Sequence, residues 1–194
     1  MKTSRTYEMR ARADQVAQTR QRIIGATIAV SAERPILAVS LPDIAARAGV
    51  SVQTVLRQFG SREGLFDAVE RDVQGEVLAE RETVPGDIDR AVETIMAHYE
   101  LRGDGVLVFL GQESWEPRAA RITSFGRGLH RDWVEATFAP FLPVDSDERE
   151  ALTDLLVVAT DVYTWKLLRR DRGRSVEETA QRMRRMITAL LKRG

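Results

Sequence analysis

Gln53 and Arg57 stand four residues apart in the stretch LPDIAARAGVSVQTVLRQF, residues 41–59. On a helix that spacing puts a carboxamide and a guanidinium on one face, one turn apart. Both groups can make paired hydrogen bonds to a base edge in the major groove of duplex DNA, glutamine to adenine and arginine to guanine. Beside them, Val52 and Leu56 are apolar groups that suit a thymine methyl, and the hydroxyls of Ser51 and Thr54, with the helix N-termini, suit phosphate oxygens.

Such side chains read bases only if the helix that carries them is held rigidly by its other face. Ser40 and Asp43 have the spacing of a capping box, and Pro42 falls in the first turn, where its missing N–H costs nothing. A helix therefore starts sharply at about 41, turns Ile44, Ala45 and Ala48 inward, and stops at Gly49, which supplies a left-handed turn. Val50 and Val55 occupy the staple positions around Ser51, the cap of a second helix over about 52–58. At 100° per residue Val55 and Phe59 face the core, Val52 and Leu56 flank them, and Gln53 and Arg57 point away. The expectation is a helix-turn-helix with the second helix as its reading element. An Ala-Gly corner also occurs in helical bundles that touch no DNA, so a purely structural hairpin is the competing reading.

Charge separates the two ends of the chain. The 194 residues carry 29 basic and 29 acidic side chains. Residues 1–62 nevertheless hold ten Lys or Arg against four Asp or Glu, and the remainder is acidic by the same margin. A basic module joined to an acidic one suggests a polyanion partner for the first. With 43% hydrophobic and 30% charged residues the composition is that of an ordinary globular protein. The apolar runs are too short to span a bilayer, the N-terminus lacks a secretory signal, and there is no cysteine, so a cytoplasmic protein is expected.

Periodicity along the chain is helical throughout, and breakers divide it into about nine helices. The first is expected at about 15–32, and a fourth from Ser61, a cap for Leu65, Phe66 and Val69, to about 82. Pro85-Gly86 marks a junction. Further helices are expected at about 87–101, 104–115, 117–140, 146–171 and 175–192, with Gly103, Pro117, Pro140 and Gly173 as separators. Ser175 and Glu178 form a second capping box. The last two helices carry apolar stripes, Leu152, Leu155, Leu156, Ala159, Tyr163 and Leu167 on one and Met183, Met186, Ile187, Leu190 and Leu191 on the other, and read as an antiparallel hairpin.

The run Ile44-Ala45-Ala46-Arg47-Ala48-Gly49-Val50-Ser51, followed by Phe59, Ser61, Arg62, Glu63 and Leu65, resembles the N-terminal domain of TetR/AcrR-type transcriptional regulators over about residues 20–70. The resemblance implies an all-α fold, a three-helix DNA-binding domain followed by a helical bundle, and a homodimer that binds an operator in double-stranded DNA. The division it suggests is a basic arm over 1–19, a DNA-binding domain over 20–66 and a ligand-binding and dimerisation domain over 67–194. Pro42, Ser51, Val52, Gln53, Thr54, Leu56, Arg57 and Gln58 form the expected DNA surface. Arg62 falls on the family's phosphate-binding lysine position. Two residues depart from the pattern: Leu56 replaces the usual tyrosine of the reading helix, and Gln58 the usual aromatic or histidine. Lys2, Arg5, Arg10 and Arg12 form a basic arm that could lie along phosphates or serve as a solubilising tail.

For the acidic remainder the resemblance implies a small, largely apolar effector whose binding releases the operator. His98, Phe109, Glu113, Trp115, Phe125, Trp133 and Tyr163 supply the aromatic and polar mix such a pocket needs, although each aromatic taken singly also suits a core. Leu152, Leu156, Tyr163, Met183, Ile187 and Leu190 are the expected dimer interface. No enzyme is expected: His98 and His130 lie in no metal-ligand spacing, no nucleophile or phosphate-loop motif is present, and no cofactor is implied. The alternative is a helical interaction protein that kept the fold and lost specific DNA binding.

Overall fold

The computed structural model describes residues 2–192, of which the side chains of Lys2 and Arg5 in the basic arm lie outside the described residues. The chain divides into two compact units, Met1–Gln74 and Gly75–Gly194. Every regular element among the described residues is helical, and no helix there is long and apolar enough to cross a membrane.

The first unit contains α1 (Lys2–Glu33), α2 (Leu41–Ala48), α3 (Val52–Phe59) and the start of α4 (Arg62–Glu80). Helix α1 begins at Lys2 instead of about 15, because no glycine or proline interrupts the sequence before Gly25. Among its described side chains the buried ones lie in its C-terminal part: Ile23, Ile24, Thr27 and Val30 join Ile36, Val39, Ile44, Val55, Leu65 and Phe66 in the core of this unit. Arg47 reaches back to Glu33 at 2.9 Å, and the Arg20 guanidinium lies over the Phe59 ring at 4.9 Å.

The second unit holds the end of α4, then α5 (Ile88–Leu110), α6 (Pro117–Thr137), α7 (Ser146–Thr160), α8 (Val162–Lys166) and α9 (Val176–Leu191). Its core is built from Ile95, Val134, Phe138, Leu156, Trp165, Met183 and Ile187. Two helix boundaries differ from the sequence expectation. The first is at Gly103, which does not break α5. A Cβ there would lie 2.6 Å from Trp165 Cζ3, so the glycine makes room for the indole of α8 to rest against the helix. The second is at Asp161, where the predicted 146–171 helix ends and restarts. Asp161 has an extended backbone, and its carboxylate accepts the Tyr163 N–H at 2.8 Å as the cap of α8.

Helix α8 runs on into a single wide π turn, Leu167–Asp171. Here Arg169 pairs with Glu100 at 2.9 Å and Arg170 with Asp104 at 2.8 Å, both on α5. Trp165 Nε1 also donates to Glu100, at 2.8 Å. The capping box predicted at Ser175 and Glu178 is present and starts α9.

Candidate nucleic-acid interface

Helix α2 is fixed at both ends as its sequence requires. Ser40 Oγ accepts the Asp43 N–H while the Asp43 carboxylate receives the Ser40 hydroxyl and N–H, and Pro42 sits exposed in the first turn. The Ser40 hydroxyl, with Arg34 nearby, holds the Asp43 carboxyl below the usual carboxylate range. Gly49 has φ 66°, and Val50 N–H returns to Ala45 O at 3.0 Å, which closes the helix and aims the chain into α3. Ser51 caps α3 by accepting the Thr54 N–H at 3.1 Å, and its hydroxyl also bonds Thr54 Oγ1 at 3.0 Å.

The phase of α3 follows. Val55 is completely buried, Val52, Thr54, Gln58 and Phe59 are half-buried, and Ser51, Gln53, Leu56 and Arg57 are exposed. Among the described residues neither the Gln53 nor the Arg57 side chain has a hydrogen-bond partner within the protein. Leu56, 40% exposed, lies between them. A carboxamide, an isobutyl group and a guanidinium therefore share one outward face on a helix anchored by a single valine and two caps.

Arg62 has a different occupation from the phosphate contact expected of it. Its Nε donates to Val39 O at 3.0 Å, its Nη2 to Ile36 O, and its guanidinium covers the Phe66 ring at 4.6 Å. Glu63 lies 3.7 Å from Nη1. The side chain bolts α4 to the Ile36–Val39 segment that leads into α2. Gly64 has a related role that sequence reasoning missed: a Cβ on it would stand 2.3 Å from Phe59 O, so α4 can begin this close behind α3 only with glycine there.

The residues assigned to an effector pocket are divided between interior and surface. His98 and Trp133 are buried, Phe109 and Glu113 are half-buried, and Trp115 and Tyr163 are 53% and 56% exposed, with Phe125 on the surface as well. Glu113 ties α6 in place, accepting the Thr123 hydroxyl at 2.6 Å and pairing with Arg127 at 2.8 Å. Two open concavities run along α9, past Arg184 and Thr188, and along α1, past Gln15 and Arg22; neither contains a residue of the predicted pocket.

The interior of this unit instead holds a polar network. Arg102 and His98 both donate to Glu80, His98 Nδ1 at 3.0 Å. Arg81 Nη1 approaches His130 Nδ1 at 3.3 Å, and His130 Nε2 lies 3.1 Å from Thr160 Oγ1. Burial, reinforced by the Arg81 charge, pushes His98 down to about 4 and His130 to about 3, so both imidazoles are neutral at physiological pH. The Arg102 pair and the His98 hydrogen bond hold the Glu80 carboxyl low against the opposing effect of burial. Arg81 gave no signal in the sequence, since an arginine ahead of a Pro-Gly junction looks like any solvated basic residue.

The expected dimer residues also fall differently. Leu156, Met183 and Ile187 are completely buried within the unit's own core, and Leu152 and Leu190 are half-buried. The large apolar side chains that α7, α8 and α9 leave outside are Leu155, Val158, Tyr163, Val176 and Met186. The stripe read from the sequence mixed two faces, because α7 carries leucines at adjacent positions 155 and 156 and only one of them can point inward.

These features define a helix-turn-helix unit followed in sequence by a second helical unit. Residues 23–69 match the model of the bacterial regulatory proteins of the tetR family. Similar solved structures include a transcriptional regulator from Rhodococcus sp. Rha1, 22% identical over 89% of this chain and 96% of that one, with a TM-score of 0.67. Salmonella enterica GusR is 23% identical over 90% and 95%, with a TM-score of 0.66. A tetR-family transcriptional regulator from Streptomyces coelicolor is 16% identical over 91% and 88%, also at 0.66. At these identities the likeness is one of fold. No curated protein matches the chain. Residues 23–69 thus carry the module that the tetR family model describes, and the chain as a whole shares the fold of these solved regulators.

Proposed function

We propose that the protein binds a palindromic operator as a homodimer, represses transcription from it, and is released by a small, largely apolar effector held in the second unit. The observation that carries the reading is the outward face of α3, where Gln53, Leu56 and Arg57 stand exposed on a helix immobilised by Val55 and the Ser51 cap. Gln53 and Arg57 read base edges, Val52 and Leu56 meet thymine methyls, and Pro42, Ser51, Thr54 and Gln58 lie where phosphates pass. Two such helices, one from each protomer, read the two halves of the operator. Leu155, Val158, Tyr163 and Met186 form the apolar surface that a second copy covers. Helix α4 begins in the reading unit and ends beside Arg81, so it is the covalent route by which an effector alters operator affinity.

Selection of bound duplexes from random DNA tests this directly, and a palindromic motif is the expected result. Against that motif Gln53→Ala and Arg57→Ala should each lose about 1–3 kcal/mol, concentrated at one base position per half-site. Absence of an enriched motif would leave an interaction protein as the reading.

A further inference from the structure

Arg81 is an unusual place to find a charge. It follows directly after α4, and its side chain turns inward until the residue is only 9% exposed. Among the described residues its Nε meets no hydrogen-bond acceptor, while Nη1 is directed at His130 Nδ1 and the guanidinium also faces the Tyr99 hydroxyl. The neighbouring carboxylates are engaged elsewhere. Glu80 is held by Arg102 and His98, and Asp161 caps α8 through the Tyr163 N–H. The polar groups around Arg81 are satisfied: Trp133 Nε1 donates to Arg81 O at 2.9 Å, the Tyr99 hydroxyl to Thr160 O at 3.0 Å, and the Thr160 hydroxyl to Leu156 O at 2.7 Å.

A guanidinium does not give up its proton in a protein, so this is a full positive charge in the interior. Its direct partners are a neutral imidazole and a phenol, and the Glu80 and Asp161 carboxylates act on it only at longer range. Arg102, Arg169 and Arg170 in the same unit each have a carboxylate at hydrogen-bond distance. Arg81 differs from all three. With Nη1 turned to His130, the Nε–H remains without an acceptor, on the edge of the guanidinium that receives carboxylate oxygens.

We propose that Arg81 is the anion-receiving group of the effector site, and that the effector is an apolar carboxylic acid whose carboxylate pairs with the Nε edge of this guanidinium. The inference rests on the reading of the second unit as the effector-binding one and narrows it to a chemical class. Neutral His130 orients the guanidinium, with its own Nε2–H directed to Thr160, and the aromatic faces of Tyr99 and Trp133 border the acid's apolar body. The acid enters at the break between α7 and α8, where the helical ladder is already interrupted at Asp161.

The test uses the full chain with straight-chain carboxylates from butanoate to dodecanoate, benzoate, and the matching neutral amides. At least one acid of the series should raise the melting temperature and change tryptophan emission at millimolar concentration, and its amide should bind at least tenfold more weakly. Arg81→Met, which fills similar volume without the charge, should melt no lower than the parent and lose the preference for acid over amide. Arg81→Lys, which keeps the charge without the fork, should retain part of it. Equal stabilisation by acid and amide, no stabilisation by any acid, or an Arg81→Met variant that keeps the acid preference would each overturn the proposal. Operator binding is followed separately. Acid binding that leaves operator affinity unchanged supports the anion site and overturns its regulatory role, whereas operator release by neutral compounds alone overturns the anion site and keeps the effector reading.

Discussion

Among the described residues the first unit buries aliphatic side chains, one phenylalanine and the hydroxyls of Thr27 and Ser31, whereas the second encloses an arginine, two histidines, a tyrosine hydroxyl and several threonines among its aromatic core residues. In the first, polar groups act at helix ends: Ser40, Asp43 and Ser51 cap, and Arg62 donates to the Ile36 and Val39 carbonyls ahead of α2. In the second, polar groups meet across helices that are distant in sequence, as in Glu80 with His98 and Arg81 with His130. A reading head must present one rigid face, and local signals suffice for that. The polar interior of the second unit makes its stability dependent on pH and on anything that binds it.

The contrast can be broken most severely in the second core. Leu156→Asp or Ile187→Asp places a carboxylate at a completely buried position and should cost more than about 4 kcal/mol, abolishing the cooperative thermal transition of that unit. Leu155→Glu and Val158→Glu, on the outward face of the same α7, should leave the circular dichroism spectrum intact and shift the sedimentation coefficient toward that of a monomer.

Acid provides the next largest separation. Both histidines of the chain lie in the second unit, with folded pKa values of about 4 and about 3. Each falls below the value of about 6.5 expected in the unfolded chain. The unfolded state therefore binds more protons between these limits, so their contribution is fully present above about pH 6.5 and is lost as pH falls toward 4 and 3. The loss is on the order of 1.4 kcal/mol per pH unit for each histidine. Glu80, whose folded pKa is depressed, adds its own loss only below the ordinary carboxylate range. Denaturant unfolding followed by tryptophan emission, which reports only on the second unit, should show its midpoint falling steadily below pH 6.5. An isolated 1–74 fragment, if it retains helical dichroism, should show a flat response until its carboxylates titrate.

Arg62→Ala probes the first unit. Loss of two hydrogen bonds to carbonyls and of the stacking on Phe66 should lower its stability by about 2 kcal/mol in the absence of DNA. Arg57→Ala should leave the melting temperature unchanged while weakening operator binding. An Arg62→Ala protein of unchanged stability with a flattened salt dependence of binding would restore Arg62 as a phosphate contact.

The smallest expected effects come from a pair of helical glycines. Gly25→Ala meets nothing within 4 Å and should stabilise α1 by about 0.5–1 kcal/mol. Gly103→Ala gains the same helical preference but drives a methyl into the Trp165 ring, for a net loss of about 1–2 kcal/mol in thermal unfolding.

How far the chain could be read without its structure follows the range of the forces involved. Caps, the left-handed turn at Gly49 and the outward direction of Gln53 and Arg57 depend on residues within one or two turns of each other, and all were legible as spacing. The continuity of α5 through Gly103 was not, because its cause is an indole 62 positions away. Nor was the break at Asp161, where a single carboxylate prefers a backbone N–H to a place in the helix.

The all-helical class and the reading helix with its outward face were thus written in the order of the residues, since a helix's period and its caps are short-range properties. Packing settled which leucine of α7 faces inward, that Arg62 is a bolt, and that Arg81 is enclosed with no carboxylate at hydrogen-bond distance. Each of those depends on which distant side chain fills the neighbouring space, and hydrophobic periodicity carries no information about that choice.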